Sequence, residues 1–125
     1  MPEATHDLVI ERSVEEVFAF LADSTNDAVW RPAGAPRARR LLSTAFEITE
    51  VSRNSSIRIR GKAGFVRPVG IYELARVADG TRVRFVLAAK PRGFRRALTP
   101  IVRRAIETEV ASLPNLKAVL ERGSR

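Results

Sequence analysis

At 125 residues, 45% of them apolar, the chain is sized for one domain with its own core, and residues 1–125 are expected to form a single unit. With no Cys, disulfides and thiolate metal sites are excluded, and no apolar run approaches the ~20 residues of a membrane span. The net charge of +8 rests on 19 Arg against 3 Lys, a skew that a GC-rich coding sequence explains first, although it also raises the odds of an anionic partner.

The N-terminal residues lack a charged stretch followed by an apolar run, so a cytoplasmic protein is expected. Thr5–Arg12 reads as a first strand, with Leu8 and Ile10 on one face and Asp7, Val9 and Glu11 on the other. Ser13 then opens a helix, with Glu16 completing a capping box and Val14, Val17, Phe18 and Leu21 forming its buried stripe as far as Ala22. Asp23–Asp27 is rich in capping residues and predicts a short second helical turn ending near Trp30, because Pro32 forbids more. Arg31–Arg40 holds two Pro, one Gly and four Arg and is expected to be a surface loop, with a short edge strand at Arg39–Leu42.

A run of strands follows. Thr44–Ser52 places Phe46 and Ile48 on one face, and Ser56–Lys62 alternates Ile57 and Ile59 against Arg58 and Arg60. Gly61–Gly64 predicts a hairpin into a long strand, Phe65–Val77, in which Pro68 and Gly70 mark a bulge or bend and Tyr72 and Leu74 share a face. After a tight turn at Ala78–Gly80, Thr81–Lys90 directs Val83, Phe85 and Leu87 inward and Arg82 and Arg84 outward. Pro91–Leu98 links this strand to a helix over Thr99–Arg122, capped by Thr99 and Pro100 and ended by Gly123. Its apolar stripe falls at Ile101, Val102, Ala105, Ile106, Val110, Leu113, Leu116, Val119 and Leu120, and Pro114 predicts a kink. Strands in sequence between terminal helices predict an α+β domain with helices on one face of an antiparallel sheet.

Four segments, in this order and spacing, resemble the START-like helix-grip superfamily, specifically the polyketide cyclase/dehydrase-like (SRPBCC) proteins. They are Ser13–Asp23 with Asn26 and Trp30 downstream, Phe46–Val51, Tyr72–Leu74 with Asp79–Val83, and Leu113–Glu121. The resemblance covers most of the chain and implies a curved antiparallel sheet wrapped around the long C-terminal helix. Family members carry a longer segment between the Trp and the central strand. Arg31–Ser43 is short by comparison, so a strand or hairpin is expected to be missing and the cavity to be smaller or open on one side.

The resemblance further implies binding of a hydrophobic or amphipathic small molecule (lipid, polyketide or aromatic) between sheet and helix. Alternation selects Phe46, Ile48, Ile57, Ile59, Tyr72, Leu74, Phe85 and Leu87 as lining residues, facing Val102, Ala105, Ile106 and Glu109, with Trp30 as a packing anchor or gate. Plain core packing would produce the same pattern. Glu109 either faces the cavity, where it could orient a hydroxyl or take a proton, or sits on the rim near Arg103 and Arg104. His6 is isolated in the sequence, and no HExxH, serine triad, GxGxxG or Walker loop is present, so neither metal, cofactor nor catalytic residue is predicted. Basic residues cluster at Arg37, Arg39 and Arg40, and again at Arg92, Arg95, Arg96, Arg103 and Arg104, which could meet anionic headgroups, phosphates or RNA. Only Phe94 offers a stacking aromatic there, which argues against sequence-specific nucleic acid. The rival readings are an interaction module using this Arg-rich face and an enzyme of the cyclase or dehydratase type.

Overall fold

The computed structural model describes residues 3–26, 30, 46–61, 68–89, 97 and 99–123. The expected loop and edge strand within 31–45, the hairpin residues 62–67, and Arg92, Arg95 and Arg96 lie outside the described residues. Five strands form one antiparallel sheet: β1 (Glu3–Ile10), β2 (Phe46–Ser52), β3 (Ser56–Gly61), β4 (Val69–Val77) and β5 (Gly80–Ala88). The order across the sheet is β1-β5-β4-β3-β2, a meander from β2 to β5 closed on one side by β1. Among the described residues, helix α1 (Val14–Ala22) follows β1, and two helices, α2 (Thr99–Val110) and α3 (Leu113–Gly123), follow β5. Helix α1 packs over β3, β4 and β5, α2 over β1 and β5, and α3 over β1. This is the expected α+β architecture.

Local chemistry explains the boundaries. Ser13 Oγ accepts the Glu16 amide at 3.2 Å, the first half of the capping box, and so starts α1. Asp23 ends α1 and turns the chain into a 3₁₀ turn at Ser24–Asn26 by accepting the amide and hydroxyl of Thr25. Asn54, at φ 58°, turns β2 into β3, a conformation Asn tolerates better than most residues. Gly80, at φ 142°, admits the β1–α1 junction: a Cβ there would lie 2.1 Å from the Ile10 carbonyl oxygen.

Three expectations are corrected. Ile101, expected in the apolar stripe of the C-terminal helix, is 48% exposed. No register shift occurs at Gly70, which pairs regularly with Ile59 and Leu87; glycine fits there because a Cβ would stand 2.9 Å from Leu87 and 3.3 Å from Ile59. The irregularity lies instead in β2, between Ile48 and Glu50, and beyond it Val51 is 52% exposed. The C-terminal helix is interrupted more sharply than by a kink. The Ser112 amide and Oγ both bond back to the Glu109 carbonyl, and the Asn115 amide bonds the Ser112 carbonyl. A new helix therefore starts at Leu113, and Pro114 sits in its first turn, where the missing N–H would have had no intrahelical partner.

The two faces of the sheet differ in kind. Outward, Arg82 pairs with Asp7 at 2.8 Å, Arg58 with Glu50 at 3.1 Å and Arg60 with Glu47, all exposed, and the Arg82 hydrogen bond holds Asp7 below the ordinary carboxylate range. Such pairs stabilise little individually. Inward lie the fully buried side chains Ile10, Ile57, Val83, Phe85 and Leu87, against Val17, Val102, Ile106, Leu113 and Leu116 of the helices.

Candidate functional site

The inner sheet face is built from transverse rows set by register. One row runs His6, Phe85, Tyr72, Ile57 across β1, β5, β4 and β3; the next runs Ala4, Leu87, Gly70, Ile59, Ile48 from β1 to β2. Of the thirteen residues selected from the sequence, eleven are buried: Trp30, Phe46, Ile57, Ile59, Tyr72, Leu74, Phe85, Leu87, Val102, Ile106 and Glu109. Ile48 and Ala105 are partly buried and pack against the same cluster. The alternative placing Glu109 on the rim is overturned: it is 4% exposed, on the inward side of α2 with Val102 and Ile106.

The centre of this interior is aromatic. The Tyr72 and Phe85 rings stack with centroids 4.4 Å apart and planes 22° apart, as their cross-strand pairing dictates. Trp30 meets Tyr72 edge-on, with centroids 6.2 Å apart and planes at 65°. The Trp30 backbone is held from the other side by α3, where the Asn115 amide donates to the Trp30 carbonyl at 3.2 Å. Helix α3 thus anchors the aromatic group.

Among the described residues, two buried side-chain polar atoms have no hydrogen-bond partner, Trp30 Nε1 and Arg12 Nε. They are not equivalent. Arg12 still donates through its two other guanidinium nitrogens, to the carbonyls of Glu11 and Glu121, and lies 4.0 Å from Glu16. The indole has a single donor and that donor is orphaned, at a residue only 3% exposed. Leaving such a donor unmet inside a protein costs about 1–3 kcal/mol, so an acceptor, whether an ordered water or a ligand oxygen, is expected to meet it.

Sequence reading missed two residues that border this interior, the partly buried His6 and the exposed Asn115. His6 shares the inward row with Phe85, which the alternation of Leu8 and Ile10 already implied by parity. Asn115 gave no signal, since its role depends on the break between α2 and α3. On the outside, an open groove of about 440 Å³ is lined by Thr99, Pro100, Arg103, Arg104 and Glu107 at the start of α2. Among the described residues, no three His, Cys, Asp or Glu side chains are grouped to hold a metal ion, and no helix is long and apolar enough to cross a membrane.

A family model described as polyketide cyclase/dehydrase and lipid transport matches residues 1–121. No curated protein matches the sequence significantly. Among solved structures, a START superfamily protein from Mycobacterium smegmatis superposes with a TM-score of 0.69 at 12% identity, covering 98% of this chain and 99% of that one. Protein MLL2253 from Mesorhizobium loti superposes at 0.67 and 15% identity, with 98% and 99% coverage. The di-domain ARO/CYC protein BexL from the BE-7585A biosynthetic pathway superposes at 0.61 and 17% identity, covering 96% of this chain and 48% of that one. At these identities the likeness establishes the fold.

Proposed function

The chain belongs to the polyketide cyclase/dehydrase and lipid transport family, and on that premise we propose that it binds a hydrophobic or amphipathic small molecule between the sheet and helices α1 to α3. The ligand has a planar or otherwise apolar body and at least one acceptor oxygen, such as a carbonyl or hydroxyl. The observation that carries this reading is the orphaned Trp30 Nε1 beside the Tyr72–Phe85 stack. Rings supply apolar contact area, and the indole N–H supplies orientation, the usual division of labour in small-molecule sites. Glu109 is the buried acidic group on α2, a candidate acceptor for a ligand hydroxyl.

Native mass spectrometry of the freshly purified protein tests the reading. The expected result is a non-covalent adduct that disappears on denaturation and is diminished in Trp30→Phe, which keeps the ring contact and removes the donor. A bare mass in both proteins, with no small molecule extractable into organic solvent, would contradict it.

A further inference from the structure

The outer face of α2 carries a second, independent signal. Its inward residues are Val102, Ile106, Glu109 and Val110, whereas Pro100, Ile101, Arg103, Arg104, Glu107 and Thr108 face out. Ile101 is 48% exposed and neighbours Arg104 one turn along. Arg103 and Arg104 have no acidic partner among the described residues; Arg58, Arg60, Arg76 and Arg82 are each paired, whereas Arg53 and Arg84 form no ion pair there either. Arg103 and Arg104 also line the groove at the start of α2, together with Thr99, Pro100 and Glu107. Unpaired Arg next to an exposed aliphatic side chain, in a chain of net charge +8, is the composition of a surface that meets an anionic, partly apolar interface.

We propose that the first two turns of α2 dock the protein onto an anionic lipid bilayer, Arg103 and Arg104 engaging headgroup phosphates and Ile101 entering the acyl boundary. Charge complementarity alone would equally suit RNA. The exposed residue is aliphatic, however, and every aromatic side chain among the described residues is buried or partly buried, so no stacking platform for bases is presented. The docking surface does not depend on an occupied interior: its residues lie on the opposite side of α2 from Ile106 and Glu109.

Co-sedimentation with phosphatidylcholine vesicles, with and without about a third phosphatidylglycerol, tests this. Binding is expected only to the anionic vesicles and should weaken as salt is raised. The pair Arg103→Glu/Arg104→Glu should lower vesicle affinity about 30-fold or more, and Ile101→Ser about tenfold. All three positions are exposed, so thermal melts should match the parent. The pair Arg103→Lys/Arg104→Lys should retain binding within about threefold, because a bilayer reads charge rather than fork geometry. Equal binding to neutral and anionic vesicles, or no binding, would overturn the proposal. So would loss of binding in the Lys pair, which would indicate a discrete phosphate site, or RNA binding abolished by the Glu pair in a protein that ignores vesicles.

Discussion

The two halves of the C-terminal helical arm are similar in length and amphipathicity, yet they are held in different ways. Helix α3 is fastened. Lys117 Nζ donates to the Val9 carbonyl at 2.8 Å and to Glu121 at 2.6 Å, the Glu11 amide donates to Glu121 at 2.8 Å, and Arg12 donates to the Glu121 carbonyl. Under this polar clamp, Leu113 and Leu116 are fully buried. Helix α2 packs on β1 and β5 through the buried Val102, Ile106 and Val110. It carries the buried Glu109 inward and, outward, Arg103 and Arg104, which have no acidic partner among the described residues. Polar groups that are matched across elements build a frame; polar groups that are left over on a rigid frame are where a ligand or partner can be recognised. Helix α3 is the frame, and it also holds Trp30 through Asn115.

Substitutions in the two halves should therefore diverge. Leu116→Ala removes a fully buried side chain from the frame and should cost about 2–5 kcal/mol in a thermal or denaturant melt. Ile106→Ala, at an equally buried position of α2, should cost less if its neighbours face a ligand rather than close packing, and Ile106→Trp should be tolerated while blocking uptake of an apolar probe. An Ile106→Trp variant as unstable as Leu116→Ala would remove the distinction at this position.

The clamp itself is expected to be worth about 1 kcal/mol, read as the stability lost in Glu121→Gln. The Lys117 hydrogen bond, and after it the Glu11 amide, hold the Glu121 carboxyl below its ordinary value of 4.5. A depressed folded pKa gives stability that is present above 4.5 and is lost as pH falls through the lower folded value. Parent and Glu121→Gln melts should therefore converge between about pH 5 and about pH 3. A constant gap across that range would show that Glu121 acts through shape alone. The smallest effect belongs to Pro114→Ala. In the first turn of α3 the proline is compatible with the helix, so its removal should give no gain and a loss below about 1 kcal/mol. A clear gain in Tm would mean that Pro114 strains the break.

These contrasts also explain what could be read from the sequence. The strands were legible because β3 and β5 alternate strictly, Ile57 and Ile59 against Arg58 and Arg60, and Val83, Phe85 and Leu87 against Arg82 and Arg84. The interior residues followed from that alternation and from the stripe on α2. The break at Ala111–Ser112 was not legible, because Pro114 is equally compatible with a kinked helix and with the first turn of a new one. Only the Ser112 bonds to the Glu109 carbonyl decide between them. Glu109 was ambiguous for a related reason: it borders the stripe, and its burial depends on the angle at which α2 crosses β1 and β5. The orphaned indole had no sequence signature, since the absence of a partner is a property of the assembled interior.

Trp30 is the only tryptophan in the chain, so its fluorescence reports on the proposed site without labelling. The most direct test is a titration of that fluorescence with 9-fluorenone and with fluorene, two planar molecules that differ by one carbonyl. The account predicts saturable one-to-one binding of both, with the ketone about five- to tenfold tighter because its oxygen meets the indole N–H. It also predicts that the preference disappears in Trp30→Phe when binding is followed by calorimetry. Equal affinity for the two probes in the parent, or no saturable response to either, would contradict it.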